Sequence, residues 1–170
     1  MKTVISVCGS DGDDERLSSY AIETAEKVGR LIAESGAVVV CGGHSGIMEA
    51  VCKGAKDCGG VTVAILPESN KDFANQFVDV GIPTGLGFIR NYLVSNVGDA
   101  VIAINGRWGT LNEISYAMIT EKPLILIKGT GGVVDEIVAG NIMQNVESVY
   151  HVVDSADEAV EKALSISRKS

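Results

Sequence analysis

Basic charge is scarce in this chain of 170 residues: 14 lysines and arginines stand against 22 aspartates and glutamates, for a formal net charge of −8. A nucleic-acid or anionic-membrane surface needs a basic face, so neither partner is expected. Any anionic ligand has to be held by local donors against the overall field. Long apolar runs are missing as well. The longest uncharged stretch, Ser35–Met48, contains serine, glycine and histidine. It falls short of the roughly 20 apolar residues a membrane helix requires. The first residues, Met1–Gly9, carry no extended apolar core or small-residue cleavage site of a secretory leader, so a cytoplasmic location is expected. The four cysteines (Cys8, Cys41, Cys52, Cys58) form no C-x-x-C pair, and His44 and His151 lie far apart. Neither a metal site nor a disulfide is expected. Cys8 and Cys41 close two strand patterns and read as small buried hydrophobes.

Common nucleotide fingerprints are absent too. There is no G-x-G-x-x-G, the second strand ends in Cys-Gly-Gly instead of the acid that would hold a ribose diol, and no G-x-x-x-x-G-K-[ST] occurs. Nothing resembles the lysine setting of a pyridoxal enzyme, and no cofactor is expected.

What the chain does carry is one pattern used twice. Ala37–Ala50 runs Ala-Val-Val-Val-Cys-Gly-Gly-His-Ser-Gly-Ile-Met-Glu-Ala, and Ala100–Glu113 runs Ala-Val-Ile-Ala-Ile-Asn-Gly-Arg-Trp-Gly-Thr-Leu-Asn-Glu, in register at an offset of 63 residues. Each reads as a buried strand that feeds a helix through a glycine turn. Such turns let backbone approach a ligand closely, and the free N–H groups of a helix start favour an anion. A pocket for a phosphorylated molecule is the expectation.

Strand and helix patterns alternate along the chain. Strands are expected at Thr3–Cys8, Ala37–Cys41, Val61–Leu66, Ala100–Ile104, Leu124–Ile127 and Val149–Val153, with a short one at Gln76–Val80. Helices are expected at Arg16–Glu34, where Leu17, Ala21, Ala25, Val28 and Ile32 recur at helical spacing, and at Ser45–Asp57, Leu86–Val97, Thr110–Thr120, Gly131–Ala139 and Ala156–Ser167. Most strands are continuous apolar runs, which implies a parallel sheet covered on both faces. The expected architecture is one doubly wound, Rossmann-like α/β domain over residues 1–170, mostly parallel, with Ser167–Ser170 as a frayed tail. In such sheets ligands bind beyond the carboxyl ends of the strands, where Gly9-Ser10 and both glycine turns lie.

The residues Gly42-Gly43-His44-Ser45-Gly46-Ile47-Met48, then Arg90, then Gly106-Arg107-Trp108-Gly109-Thr110-Leu111-Asn112-Glu113 occur in an order that resembles the LOG (Lonely Guy) family. That family was long labelled lysine decarboxylase-like, and its wider group includes the DNA-processing protein Smf. Its pattern is Gly-Gly-Gly-x-x-Gly-Leu-Met-Gly, an Arg-Lys pair on a helix, and Pro-Gly-Gly-x-Gly-Thr-x-x-Glu. The resemblance implies a pocket for a nucleoside 5′-monophosphate, hydrolysis of its N-glycosidic bond to base and ribose 5-phosphate, and essential residues at Arg90 and Glu113. It also implies nucleotide or phosphate contacts from Gly9, Ser10, Gly42, Gly43, Gly46, Asn91, Gly106, Arg107, Gly109 and Thr110, and a homo-oligomer, at least a dimer, because LOG relatives build part of each pocket at a subunit contact. The chain departs from the pattern: Cys41 and Glu49 replace flanking glycines, Asn91 follows Arg90 in place of lysine, Asn105 stands at the proline and Arg107 at the second glycine. The Gly-x-Trp-Gly-Thr style of loop also resembles molybdenum-cofactor carrier proteins, so a non-catalytic carrier or sensor is the rival reading.

Plainer readings stand beside these. Thr110-x-x-Glu113 has the spacing of a capping box, as does Ser155-x-x-Glu158. The glycines serve tight strand–helix turns in any α/β domain. Arg107 either supplies a phosphate contact or narrows the pocket, and Trp108 either stacks on a base or fills a subunit interface. His44 reads as an exposed side chain and Asp11–Glu15 as a solvated loop entering a helix. Phe88 and Tyr92, four apart, read as core or subunit contact.

Overall fold

The apolar runs pair side by side as the central layer of the molecule. In the computed structural model, which describes residues 1–142 and 150–167, seven strands form one sheet in the order β4-β3-β2-β1-β5-β6-β7, every neighbouring pair parallel. They are β1 (Val4–Gly9), β2 (Val38–Cys41), β3 (Val61–Leu66), β4 (Val80–Pro83), β5 (Ala100–Ile104), β6 (Leu124–Ile127) and β7 (Tyr150–Val153). The helices are α1 (Ser19–Glu34), α2 (Ile47–Asp57), α3 (Asn91–Val97), α4 (Trp108–Ile119), α5 (Gly132–Val138) and α6 (Ala156–Ser167). The expected strand residue Val149 and tail residues Arg168–Ser170 lie outside the described residues. No described helix is long and apolar enough to cross a membrane.

All residues of β5 and β6 are buried, because helices cover both faces of the sheet centre. On one face α1, α2 and α6 pack with Ile5, Val39, Ile102 and Ile125. On the other, α4 and α5 pack with Cys8, Val101, Ala103 and Leu126, while α3 covers Val40 and Ile65. Helices α1 and α2 touch backbone to backbone: a Cβ at Gly29 would stand 1.9 Å from the Val51 carbonyl oxygen, and one at Gly54 1.9 Å from that of Glu26.

Several element boundaries differ from the periodicity, three of them for plain local reasons. Helix α1 starts at Ser19, not Arg16, because the Ser18 side chain caps it by accepting from the Ala21 N–H at 3.2 Å. The edge strand is Val80–Pro83, not Gln76–Val80: Thr62 Oγ1 donates to the Phe77 carbonyl and holds that stretch as a loop. The helix expected over Leu86–Val97 is divided. A 3-10 turn, Gly87–Arg90, precedes α3, and Gly87 begins it at a φ of 54°. Arg90 ends that turn, and the break folds its side chain inward.

The sheet order runs outward in opposite directions from β1 and β5. The connection after β1 leads to one side and that after β5 to the other, so a crevice opens beyond Gly9 and Ile104, which are paired in register. That is where open α/β sheets bind ligands.

Candidate functional site

A cavity of about 570 Å³ fills this crevice. Gly9 and Ser10 border it from the end of β1, Arg107 from the turn after β5, and Gly109 and Thr110 from the first turn of α4. A Cβ at Gly9 would lie 2.5 Å from both the Ile104 carbonyl oxygen and Ile47 Cγ2, so glycine there lets β1 pass between β5 and α2. Arg90, Asn91 and Glu113 form the floor.

Helix α4 begins at Trp108, with Arg107 as its cap residue, and its first backbone bond runs from the Leu111 N–H to the Arg107 carbonyl at 2.9 Å. Thr110 is thus the third helical residue, and the capping-box reading of Thr110-x-x-Glu113 is overturned: Glu113 sits a full turn inside the helix. At the other such spacing Ser155 does cap its helix, with the Glu158 N–H donating to Ser155 Oγ at 3.3 Å, while Glu158 Oε2 accepts from the Asp154 N–H at 3.1 Å. No described residue accepts from the N–H groups of Trp108, Gly109 or Thr110, which leaves the α4 start free to take an anion.

Glu113 is buried and its carboxylate contacts Arg90 Nη1 at 3.3 Å. The guanidinium lies over Gly42, where a Cβ would stand 2.7 Å from Nη2. Arg90 Nη1 also donates to Asn91 Oδ1 at 2.5 Å, and Arg90 Nε is buried with no partner among the described residues. Burial pushes the Glu113 carboxyl up from 4.5 to about 7, and the nearby Arg90 charge only partly opposes this. Burial and the Glu113 charge together hold the Cys8 thiol well above its ordinary value. A buried carboxyl that titrates near neutrality on a cavity wall is suited to proton transfer or to stabilising positive charge.

The rim is acidic. Arg107 pairs through Nη2 with Asp13, and its Nε lies 3.7 Å from Asp14 Oδ2. Burial raises the Asp14 carboxyl, but hydrogen bonds from Ser10 Oγ and from Arg16, with the Arg107 charge, outweigh it and hold Asp14 low. His44 bridges two loops, with Nδ1 3.4 Å from Asp11 Oδ2 and Nε2 3.2 Å from Glu68.

Four glycines expected at the ligand do not border the cavity. Gly42 backs Arg90; Gly43, at a φ of 85°, faces Ala64 and Leu66; Gly46 packs against the Ser10 carbonyl; Gly106 packs against Thr110. Their turns are shaped by packing, and side chains line the cavity in their place. His44 and Met48 come from the β2 turn, and Asp11, Asp13, Glu68 and Phe88 from neighbouring loops. His44 and, from the Asp11–Glu15 stretch, Asp11 and Asp13 therefore border the cavity, contrary to their reading as incidental surface. The signal was available: Asp11 follows Gly9-Ser10 directly, and Glu68 follows β3 on the same sheet edge. Trp108 is 84% exposed and lies in a separate, smaller cavity beside Arg107 and Leu111. Among the described residues no group of three or more histidine, cysteine, aspartate or glutamate side chains could hold a metal ion.

Fold and cavity together define a Rossmann-like α/β protein with its candidate site at the point where the strand order reverses. The chain belongs to the SLOG cluster4 family, whose profile matches residues 2–161. It is 43% identical over 131 residues to an uncharacterized protein of Archaeoglobus fulgidus, a match that spans 74% of this chain and 83% of the relative. It is 32% identical over 119 residues to the cytokinin riboside 5′-monophosphate phosphoribohydrolase of Mycobacterium tuberculosis, spanning 65% of this chain and 64%, less than two thirds, of that enzyme. Among solved structures, the molybdenum cofactor binding protein of Rippkaea orientalis superimposes with a TM-score of 0.86 at 32% identity, over 98% of both chains.

Proposed function

We propose that the chain binds a nucleoside 5′-monophosphate in the cavity beyond β1 and β5 and hydrolyses its N-glycosidic bond to the free base and ribose 5-phosphate. The observation that carries this reading is Glu113, a buried carboxyl raised to about 7, facing the same cavity as the free N–H groups of the α4 start. In this reading the phosphate sits on the Gly109 and Thr110 amides, which border the cavity where the helix terminus favours negative charge. Glycosidic cleavage develops positive charge at the sugar carbon, which an ionised Glu113 stabilises while accepting a proton from the attacking water. Arg90 holds a ligand oxygen and fixes the carboxylate. The hydrolase relative named above supports this choice of reaction.

A carrier of a phosphorylated small molecule is the second reading, favoured by two observations. Arg107 spans the cavity mouth in ion pairs with Asp13 and Asp14, and the cofactor-binding structure matches almost the full chain. Incubation of the purified protein with a panel of nucleoside monophosphates, read by ribose 5-phosphate release, separates the two. Release supports the hydrolase; tight binding without release supports the carrier.

A further inference from the structure

Arg90 and Glu113 are both buried, yet they do not form the two-point, fork-to-fork contact that an arginine and a carboxylate adopt when free to do so. One nitrogen, Nη1, reaches Glu113 Oε1 at 3.3 Å, and its shorter contact is to Asn91 Oδ1 at 2.5 Å. The Asn91 amide is itself fixed. It is 2% exposed, and its Nδ2 donates to Asn112 Oδ1 at 3.1 Å and lies 3.5 Å from the Gly109 carbonyl. Ser95 Oγ adds a backbone tie, standing 3.1 Å from the Asn91 carbonyl and 2.9 Å from that of Glu113. Asn91 therefore joins three things: the guanidinium, the first turn of α4 and, through Ser95, the backbone that carries Glu113.

We infer that Asn91 is a positioning residue, whose amide restrains the Arg90 guanidinium from closing a two-point ion pair on Glu113. Released from Asn91, Nη1 is free to swing onto the carboxylate and hold it ionised. With a carboxylate in place of the amide, the guanidinium is drawn further from Glu113 and a like charge is added beside it. The two substitutions thus push Glu113 in opposite directions, which a general loosening of the fold would not do. Glu113 acts on the Cys8 thiol of β1 and the Cys41 thiol of β2, and Asp11, Asp13, His44, Glu68 and Arg107 line the same cavity.

The inference deepens the proposed role of Glu113, but its test uses the ligand-free protein, so absence of hydrolase activity would leave it standing. Glutamate side-chain carboxyl carbons are labelled with carbon-13 in the full-length chain, and the Glu113 signal is assigned by its loss in Glu113→Gln. Titration by NMR is expected to move the Glu113 midpoint down by about one pH unit in Asn91→Ala and up in Asn91→Asp. Asn112→Ala, which frees the Asn91 amide without removing it, is expected to shift the midpoint down by less, and it carries the test if an Asn91 variant does not fold. Unchanged midpoints, or shifts of the same sign in both Asn91 variants, would overturn the inference.

Discussion

Burying Glu113 with one guanidinium contact makes stability depend on pH in the direction opposite to a surface carboxylate. Its folded value of about 7 lies above the ordinary 4.5, so between these values the native state keeps a proton that the unfolded chain has released. The contribution is fully present below about 4.5 and is lost as pH rises through 7, to a total of about 3 kcal/mol. Glu113→Gln keeps the neutral shape and never ionises. It is expected to melt close to the native protein at pH 5 and above it at pH 8. A melting-temperature difference that does not grow with pH would contradict this burial account. The spacing of Thr110 and Glu113 could not separate a cap from a buried carboxyl, since two residues lie between the pair in both cases. Only the helix start at Trp108 decides between them, and that start depends on the Asn105-Gly106 turn, with φ values of 57° and 108°.

The β2–α2 turn contains two adjacent glycines with different duties. At Gly42 an added Cβ meets the flexible ends of Arg90 and Met48, each 2.7 Å away, so Gly42→Ala is expected to fold while displacing the guanidinium. At Gly43 the backbone is left-handed and the added carbon would stand 2.5 Å from Ala64 Cβ, in the packed sheet. Gly43→Ala is expected to cost about 1–3 kcal/mol. Chemical denaturation with ligand titration checks the pair: a stability loss at Gly43, and a loss of ligand affinity at near-native stability at Gly42. Equal destabilisation by both would show that Arg90 has no room to move. At this scale the sequence was most legible. Six of seven strands lie where the largely apolar runs placed them, and all three glycine turns lie on the expected edge. Which glycines border the cavity was not legible, because Gly43 packs on Ala64 of a different strand and Gly106 on the side chain of Thr110, contacts that the repeated pattern does not specify.

At the scale of the whole molecule, among the described residues, the β3–β4 flank of the sheet presents an apolar surface with little helix cover. The β3–β4 connection carries no helix, and α3 has only seven residues to cover that flank. Val80 and Ile82, in register with Val63 and Ile65, are 47% and 45% exposed, and Phe88, Ile89 and Tyr92, on the 3-10 turn and α3, are exposed as well. A patch of this kind marks an interaction surface. We propose that a second copy of the chain covers it. Sedimentation at micromolar concentration is expected to show at least a dimer, and Ile89→Asp to give a folded monomer. A monomeric native protein would remove the proposal. The reading of Phe88 and Tyr92 as core or subunit contact left this surface open in the sequence. Its extension onto the sheet was hidden, because strand order is not written in the periodicity of any one strand.

Product release from nucleoside monophosphates tests most directly whether the cavity holds a nucleotide with Glu113 at its reactive bond. Native protein is incubated with several monophosphates at pH 8, and ribose 5-phosphate and free base are measured beside nucleotide affinity. The expected result is equimolar release of both products from at least one nucleotide. Glu113→Gln should lose that release by several orders of magnitude while keeping affinity within a few-fold, because an amide preserves the pocket but cannot stabilise the developing charge. Tight binding by the native protein with no product from any monophosphate, or unimpaired turnover in Glu113→Gln, would contradict the assignment.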